Sequence, residues 1–231
     1  MRNGKTVRKM KNNLAALCAC AVAFLCFAAH GAAEAQPETP SVQEAIAAYA
    51  EVLLGRQPYV QTGDGAGETA FSAQPAVWYG YELGGAYTVS RFCVTDLDAD
   101  GLPEIILDLP DREGYTFGYE LLRYEAGTVY GFAFTLRSMQ DITLGGDIET
   151  SGGAGDNGWY TLRFAADQAE YVETCRMQST NGYEQYFIGD AEVTQEQYLA
   201  FTDRIEAEAC PVWLAFTEEN IQYVAAQFQV K

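Results

Sequence analysis

Beyond its first 35 residues the chain has no histidine, and its lysine is confined to the last position, Lys231. The single histidine of all 231 residues is His30. Residues 36–231 therefore lack the imidazole of a Ser-His-Asp or Cys-His arrangement, a histidine ligand for zinc, and the amine of a Ser-Lys dyad or Schiff base. Catalysis, if any, is narrowed to carboxylates, tyrosines and arginines. Cysteine is scarce too: Cys18, Cys20 and Cys26 fall near the start, leaving Cys93, Cys175 and Cys210, an odd number at no metal-like spacing. Cys93 reads as a small buried hydrophobe, and one bridge among the three stays open. Positive charge is the other shortage. Residues 1–35 hold five of the 14 basic residues and one of the 32 acidic ones, so the remainder carries 9 against 31, a net charge of −22. That balance excludes nucleic acid as a partner.

Long apolar runs are missing with one exception. Arg2, Lys5, Arg8, Lys9 and Lys11 precede an apolar stretch from Leu14 to Ala29, and Ala33-Glu34-Ala35 offers a small-residue cleavage site. The stretch is short for a membrane span, so residues 1–35 read as a secretory signal peptide, followed by one domain over 36–231. Leu17-Cys18-Ala19-Cys20 loosely resembles a lipid-attachment motif with Cys20 modified, but the apolar run continues nine residues past Cys20. An uncleaved anchor is the third alternative. No other segment is apolar enough to span a bilayer, and the expected location is secreted or at the cell envelope. Roughly 195 residues are enough to bury a core without staples.

The strongest chemical signal is Asp96-Leu97-Asp98-Ala99-Asp100-Gly101-Leu102-Pro103-Glu104, a D-x-D-x-D-G-x-x-E run. Four carboxylates so close repel one another, and gathering them is favourable when a hard dication that prefers oxygen sits among them. Asp96, Asp98 and Asp100 take positions 1, 3 and 5 of a calcium loop. Gly101 supplies the turn at position 6, the Leu102 carbonyl falls at 7, and Glu104 at 9 ligates directly or through water. Position 12 holds Leu107, where an EF-hand has a bidentate acid. The flanks, Phe92-Cys93-Val94-Thr95 and Ile105-Ile106-Leu107-Asp108-Leu109, suit strands and not helices.

Asp96 to Glu104 between two apolar strands resembles the calcium loop of FG-GAP-type repeats, and Phe92 to Leu109 is similar to a segment of secreted and surface proteins of Gram-positive bacteria. The resemblance implies calcium held at Asp96, Asp98, Asp100 and Glu104 with the Leu102 carbonyl. One copy covers a loop and not a β-propeller. The competing reading is a solvated acidic turn without metal, and magnesium suits fewer carboxylates and more retained water.

Around this loop the pattern predicts an α+β fold: a curved antiparallel meander covered on one side by helices, one at the N-terminus and two at the C-terminus. Ser41-Val42-Gln43-Glu44 is a capping box, Val42, Ala45, Ile46, Tyr49, Val52 and Leu53 recur at helical spacing, and Gly55 stops the helix. Residues 56–85 are loop-rich, with a short strand near Val77 to Glu82. Phe117–Tyr124 and Thr128–Leu136 flank a three-residue hairpin loop, Glu125-Ala126-Gly127. Trp159–Phe164, Glu170–Gln178 and Tyr183–Ile188 continue the meander, the last two joined at Asn181-Gly182. Thr194 caps a helix reaching about Glu208, and Thr217 caps another with Ile221, Val224, Ala225 and Phe228 along one stripe. Gly145-Gly146 and Ser151-Gly152-Gly153-Ala154-Gly155 read as mobile loop. Trp159-Tyr160 reads as core, whereas Trp78-Tyr79-Gly80-Tyr81 is a possible sugar platform whose competing role is packing.

Two functional classes follow. One is a non-catalytic exported module with a structural, constitutively filled calcium, engaging a glycan or an envelope protein. The other is a carboxylate-based hydrolase of glycosidase type, with its pair drawn from Glu82, Asp108, Asp111 and Glu120.

Overall fold

A capping box opens the first helix of the described residues. A computed structural model of the chain describes residues 40–228 except 63–68, 72–76, 80–84, 112 and 166–167. The expected signal peptide with its Cys20 alternative, and Glu82, Gly80 and Tyr81 of the candidate acids and sugar platform, lie outside the described residues. Helix α1 spans Val42–Leu53. The Glu44 N–H donates to Ser41 Oγ at 3.2 Å and the Ser41 N–H donates back to Glu44 Oε2 at 2.8 Å, satisfying two helix-end donors reciprocally. Its apolar face buries Ala45, Ile46, Tyr49, Val52 and Leu53, and the Tyr124 N–H donates to Tyr49 Oη at 2.6 Å.

In chain order the strands are β1 (Tyr59–Thr62), β2 (Thr69–Phe71), β3 (Val77–Tyr79), β4 (Gly85–Tyr87), β5 (Arg91–Thr95), β6 (Glu104–Pro110) and β7 (Thr116–Glu125). They continue as β8 (Thr128–Thr135), β9 (Ile148–Gly153), β10 (Asp156–Ala165), β11 (Gln168–Thr180), β12 (Tyr183–Ile188), β13 (Ala191–Val193) and β14 (Leu214–Ala215). A seven-stranded sheet runs β14-β5-β6-β7-β8-β1-β2, antiparallel except for the parallel β1–β8 pair; a five-stranded meander runs β13-β12-β11-β10-β9; β3 and β4 pair by themselves. The class is α+β, but the expected single meander is two sheets. The seven-stranded sheet is also covered on both faces. Ile105, Leu107, Leu109 and Leu122 pack with α1 and with Ile221 of α3 (Glu218–Gln227). Cys93, Ile106 and Leu121 pack in a second cluster with Ile148 of β9 and Leu162 of β10. Central β6 is therefore apolar on both faces, Glu104 and Asp108 apart. Helix α2 (Gln195–Glu206) packs elsewhere, Tyr198 and Ile205 burying Trp159 and Cys175 of the five-stranded sheet.

Turn chemistry corrects two further expectations. Glu125 pairs with Thr128, so the β7–β8 loop has two residues, Ala126 and Gly127, both with positive φ (48° and 89°). Of the glycine-rich stretches expected as loop, Gly145-Gly146 lies in a turn, whereas Ser151, Gly152 and Gly153 belong to strand β9, joined to β10 through Ala154-Gly155. The region before β5 holds β1 to β4 rather than one short strand. Cys93 and Cys175 are buried and Cys210 exposed, all as thiols. Among the described residues no helix is long and apolar enough to cross a membrane.

Gly146 ties this turn to the acidic loop. It sits at φ 86°, and a Cβ there would collide with the Leu97 carbonyl. Gly146→Ala should cost about 2–4 kcal/mol from left-handed strain plus overpacking, read as a lower urea midpoint at unchanged slope.

Candidate metal centre

Strands β5 and β6 end their pairing at Thr95 and Glu104, so residues 96–103 form the connecting loop. Each acid in it holds a backbone donor of the loop. The Gly101 N–H donates to Asp96 Oδ2 (3.0 Å), Asp100 N–H to Asp98 Oδ1 (3.3 Å), Leu102 N–H to Asp100 Oδ1 (2.7 Å) and Leu97 N–H to Glu104 Oε2 (2.9 Å). Ala99 and Gly101 adopt positive φ (57° and 89°), which lets the chain reverse within these bonds. Leu97, buried in the second core cluster, pins the loop to the sheet.

Asp96, Asp98 and Glu104 converge. Each offers one carboxylate oxygen, and these atoms lie within 4.8 Å of one another. Oxygens sharing one ion at about 2.3–2.6 Å stand at most about 5 Å apart, so the three could hold a metal ion. The fourth expected acid, Asp100, is not in this group; its Oδ2 faces Arg123 Nη2 at 3.3 Å. Leu102 is half-buried, with its N–H given to Asp100. Asp96 Oδ1 is buried and finds no hydrogen-bond partner among the described residues. An acceptor left so is costly unless a cation or water meets it, and the donor set, all hard oxygen, suits such an ion.

Arg123 of β7 is the residue that sequence reasoning missed. Its Nη1 lies 2.8 Å from Asp98 Oδ2 and 3.6 Å from Glu104 Oε1, and Nε is 3.8 Å from Glu125 Oε2. Phe164 of β10 lies under it, with Cζ 4.5 Å from the ring centroid. A signal existed: a lone arginine in a hydrophobic strand of a strongly acidic chain needs acidic company.

Burial dominates the electrostatics of Glu104. Removal from water pushes its carboxyl up to about 8, the Leu97 N–H opposing the shift and Asp98 adding to it. A dication at the triad would reverse that shift.

The candidate hydrolase acids do not assemble. Asp108 lies opposite Tyr119 and Glu120 opposite Leu107 on adjacent strands, so the two project to opposite faces of the sheet. Asp108 Oδ2 accepts from Arg91 Nε (2.7 Å) and Ser90 Oγ (3.0 Å), while Asp111 Oδ1 closes a turn by accepting from the Glu113 and Tyr115 N–H groups. Trp159 is core, but Tyr160 instead lines a surface hollow with Tyr171. No family model, curated protein or solved structure matches the chain.

Glu120 is fully buried beside Tyr59, both close over Gly131. Burial raises its carboxyl from 4.5 to about 8, against smaller opposite effects of Gln61 and Tyr59. The folded protein thus keeps a proton that the unfolded chain releases between about pH 4.5 and 8. This contribution to stability is complete below that window and is lost as pH rises through it. Glu120→Gln should flatten the decline: relative to wild type, the variant gains about 1 kcal/mol per pH unit across the window, measured by urea unfolding from pH 5 to 8.

Proposed function

We propose that the chain is an exported, non-catalytic module whose acidic loop binds calcium, with Asp96, Asp98 and Glu104, already gathered, as ligands and with Asp100 and the Leu102 carbonyl completing the set when the ion binds. The observation that carries this is the convergence of Asp96, Asp98 and Glu104, alongside a buried Asp96 oxygen without a donor among the described residues. Calcium is favoured over magnesium because it takes more carboxylates and tolerates irregular geometry. The resemblance of the loop to FG-GAP-type calcium loops supports the same ion. Its role is structural: extracellular modules bind at Kd of about 10⁻⁴ to 10⁻³ M, so the loop stays filled outside the cell. A glycan or an envelope protein is the proposed partner. The separation of Asp108 and Glu120 onto opposite faces speaks against a hydrolase built on that pair.

A second reading has its own support: Arg123, within 4.0 Å of Asp98, Asp100 and Glu104, serves as the loop's resident counter-ion without a metal. Calorimetric melting separates the two. With calcium as ligand, 10 mM calcium against chelator should stabilise by about 1.4–2.7 kcal/mol, a rise of about 3–10 °C. Asp98→Ala should abolish the rise. A melting temperature indifferent to calcium in the wild type leaves the guanidinium as the sole counter-ion.

Arg123→Gln sharpens the contrast. Without the guanidinium the chelated protein should lose about 3–5 kcal/mol, since buried acids are left unpaired, and its calcium-induced rise should exceed that of the wild type. If the variant melts lower and calcium restores nothing, no ion enters the loop.

A further inference from the structure

We propose that the hollow between the 3-10 turn at Leu136–Ser138 and strands β9 to β11 binds a sugar unit bearing a carboxylate, with Arg137 as its anion contact and Tyr160 and Tyr171 as the wall for its ring. This deepens the reading of the chain as a binding module, and it does not depend on the metal.

The hollow has a volume of about 270 Å³ and is lined by Arg137, Ser138, Thr150, Ser151, Tyr160 and Tyr171, with Gly152 at its edge. That is just below the range for drug-sized ligands and suits one small ring. The aromatic wall is held in place before any ligand arrives. Tyr171 stands edge-on to both Phe134 and Tyr160, with centroids 5.9 Å apart in each pair, and its hydroxyl donates to the Ser138 carbonyl at 2.9 Å. The Tyr160 hydroxyl donates to Glu173 Oε2 at 3.4 Å. Such fixed rings offer apolar area and negative π-faces at little entropic cost, which suits the C–H face of a sugar.

The rim supplies hydroxyl chemistry. Ser138, Thr150 and Ser151 can each donate or accept, and Asp156 Oδ2 lies 2.6 Å from where a Cβ on Gly152 would stand, so a side chain there would crowd that carboxylate. The choice of an acidic sugar comes from Arg137. Arg56, Arg91, Arg123 and Arg176 each pair with a carboxylate of the chain, whereas the exposed Arg137, Arg163 and Arg204 make no ion pair among the described residues, and of these three Arg137 is the one that lines the hollow. In a chain so rich in acids, an arginine left without one at the mouth of a tyrosine-walled hollow is complementary to a carboxylate brought by a ligand.

The test titrates the full chain with glucuronate, galacturonate and N-acetylneuraminate, with galactose as the neutral sugar and N-acetylglutamate as the acidic non-sugar, followed by NMR. At least one acidic sugar should bind with millimolar affinity, about tenfold or more tighter than galactose and N-acetylglutamate. Arg137→Ala should remove the preference over galactose at an unchanged melting temperature, and Tyr160→Ala should weaken both sugars. Absence of binding by all three acidic sugars, equal binding by N-acetylglutamate, or an undiminished preference in Arg137→Ala would overturn the assignment. Running each titration in calcium and in chelator separates the hypotheses. Sugar binding without a calcium-dependent melting shift sinks only the metal, and a melting shift without sugar binding sinks only the hollow.

Discussion

Glu104 is a carboxyl with 1% of its surface exposed, at the first residue of a strand that is apolar on both faces. A buried acid is tolerated when donors and cations replace its water. Glu104 obtains the Leu97 N–H, which draws the loop back over the strand end, and the Arg123 guanidinium, which comes from the next strand. Leu97 in turn anchors the loop in the core cluster that β9 and β10 share. The position of the acidic loop, the choice of arginine on β7 and the placement of Phe164 beneath it are thus consequences of one buried oxygen pair.

The local elements were legible because their causes are local. Ser41 and Glu44 announce α1, Thr194 with Gln197 announces α2, and Thr217 announces α3, each through a side chain that reaches a backbone donor within one turn. The D-x-D-x-D-G run was legible as a loop between strands for the same reason. What the chain did not disclose is long-range. Nothing in residues 59–62 signals that β1 pairs in parallel with β8, some 70 residues on, and the alternation in β9 is hidden by its serine and glycines. The split into two sheets depends on which apolar faces meet. Period-2 patterning marks faces but does not say what covers them. Arg123 was missed because its partners in the acidic loop lie 19 to 25 residues away in sequence.

One core cluster serves both candidate sites. Leu97 from the acidic loop, Met139 following the 3-10 turn, and Ile148 and Leu162 from the second sheet are all members of it. The packing that seats the acidic loop therefore also seats the turn carrying Arg137 and the strands carrying Tyr160 and Tyr171. Gly146, pressed on the Leu97 carbonyl, closes the connection through the backbone, where close packing leaves little room to adjust. The acidic loop stands where β5 and β6 end, whereas the hollow draws on side chains within β9, β10 and β11, whose ladder hydrogen bonds stay in place.

Charge decides how the acidic loop divides its oxygens between two cations. Were Asp96, Asp98, Asp100 and Glu104 all ionised, one guanidinium would leave three negative charges unbalanced in a partly buried space, and burial together with that crowding raises the Glu104 carboxyl. Arg123 engages Asp98, Asp100 and Glu104 but has no ion pair with Asp96, whose Oδ1 is the buried oxygen without a partner. The guanidinium thus covers one flank and leaves the other open. A dication beside Asp96 would bring the balance to a single negative charge and would draw Glu104 into its ionised form. In that arrangement Arg123, which makes no ion pair with Asp96, is complementary to the ion and not its rival.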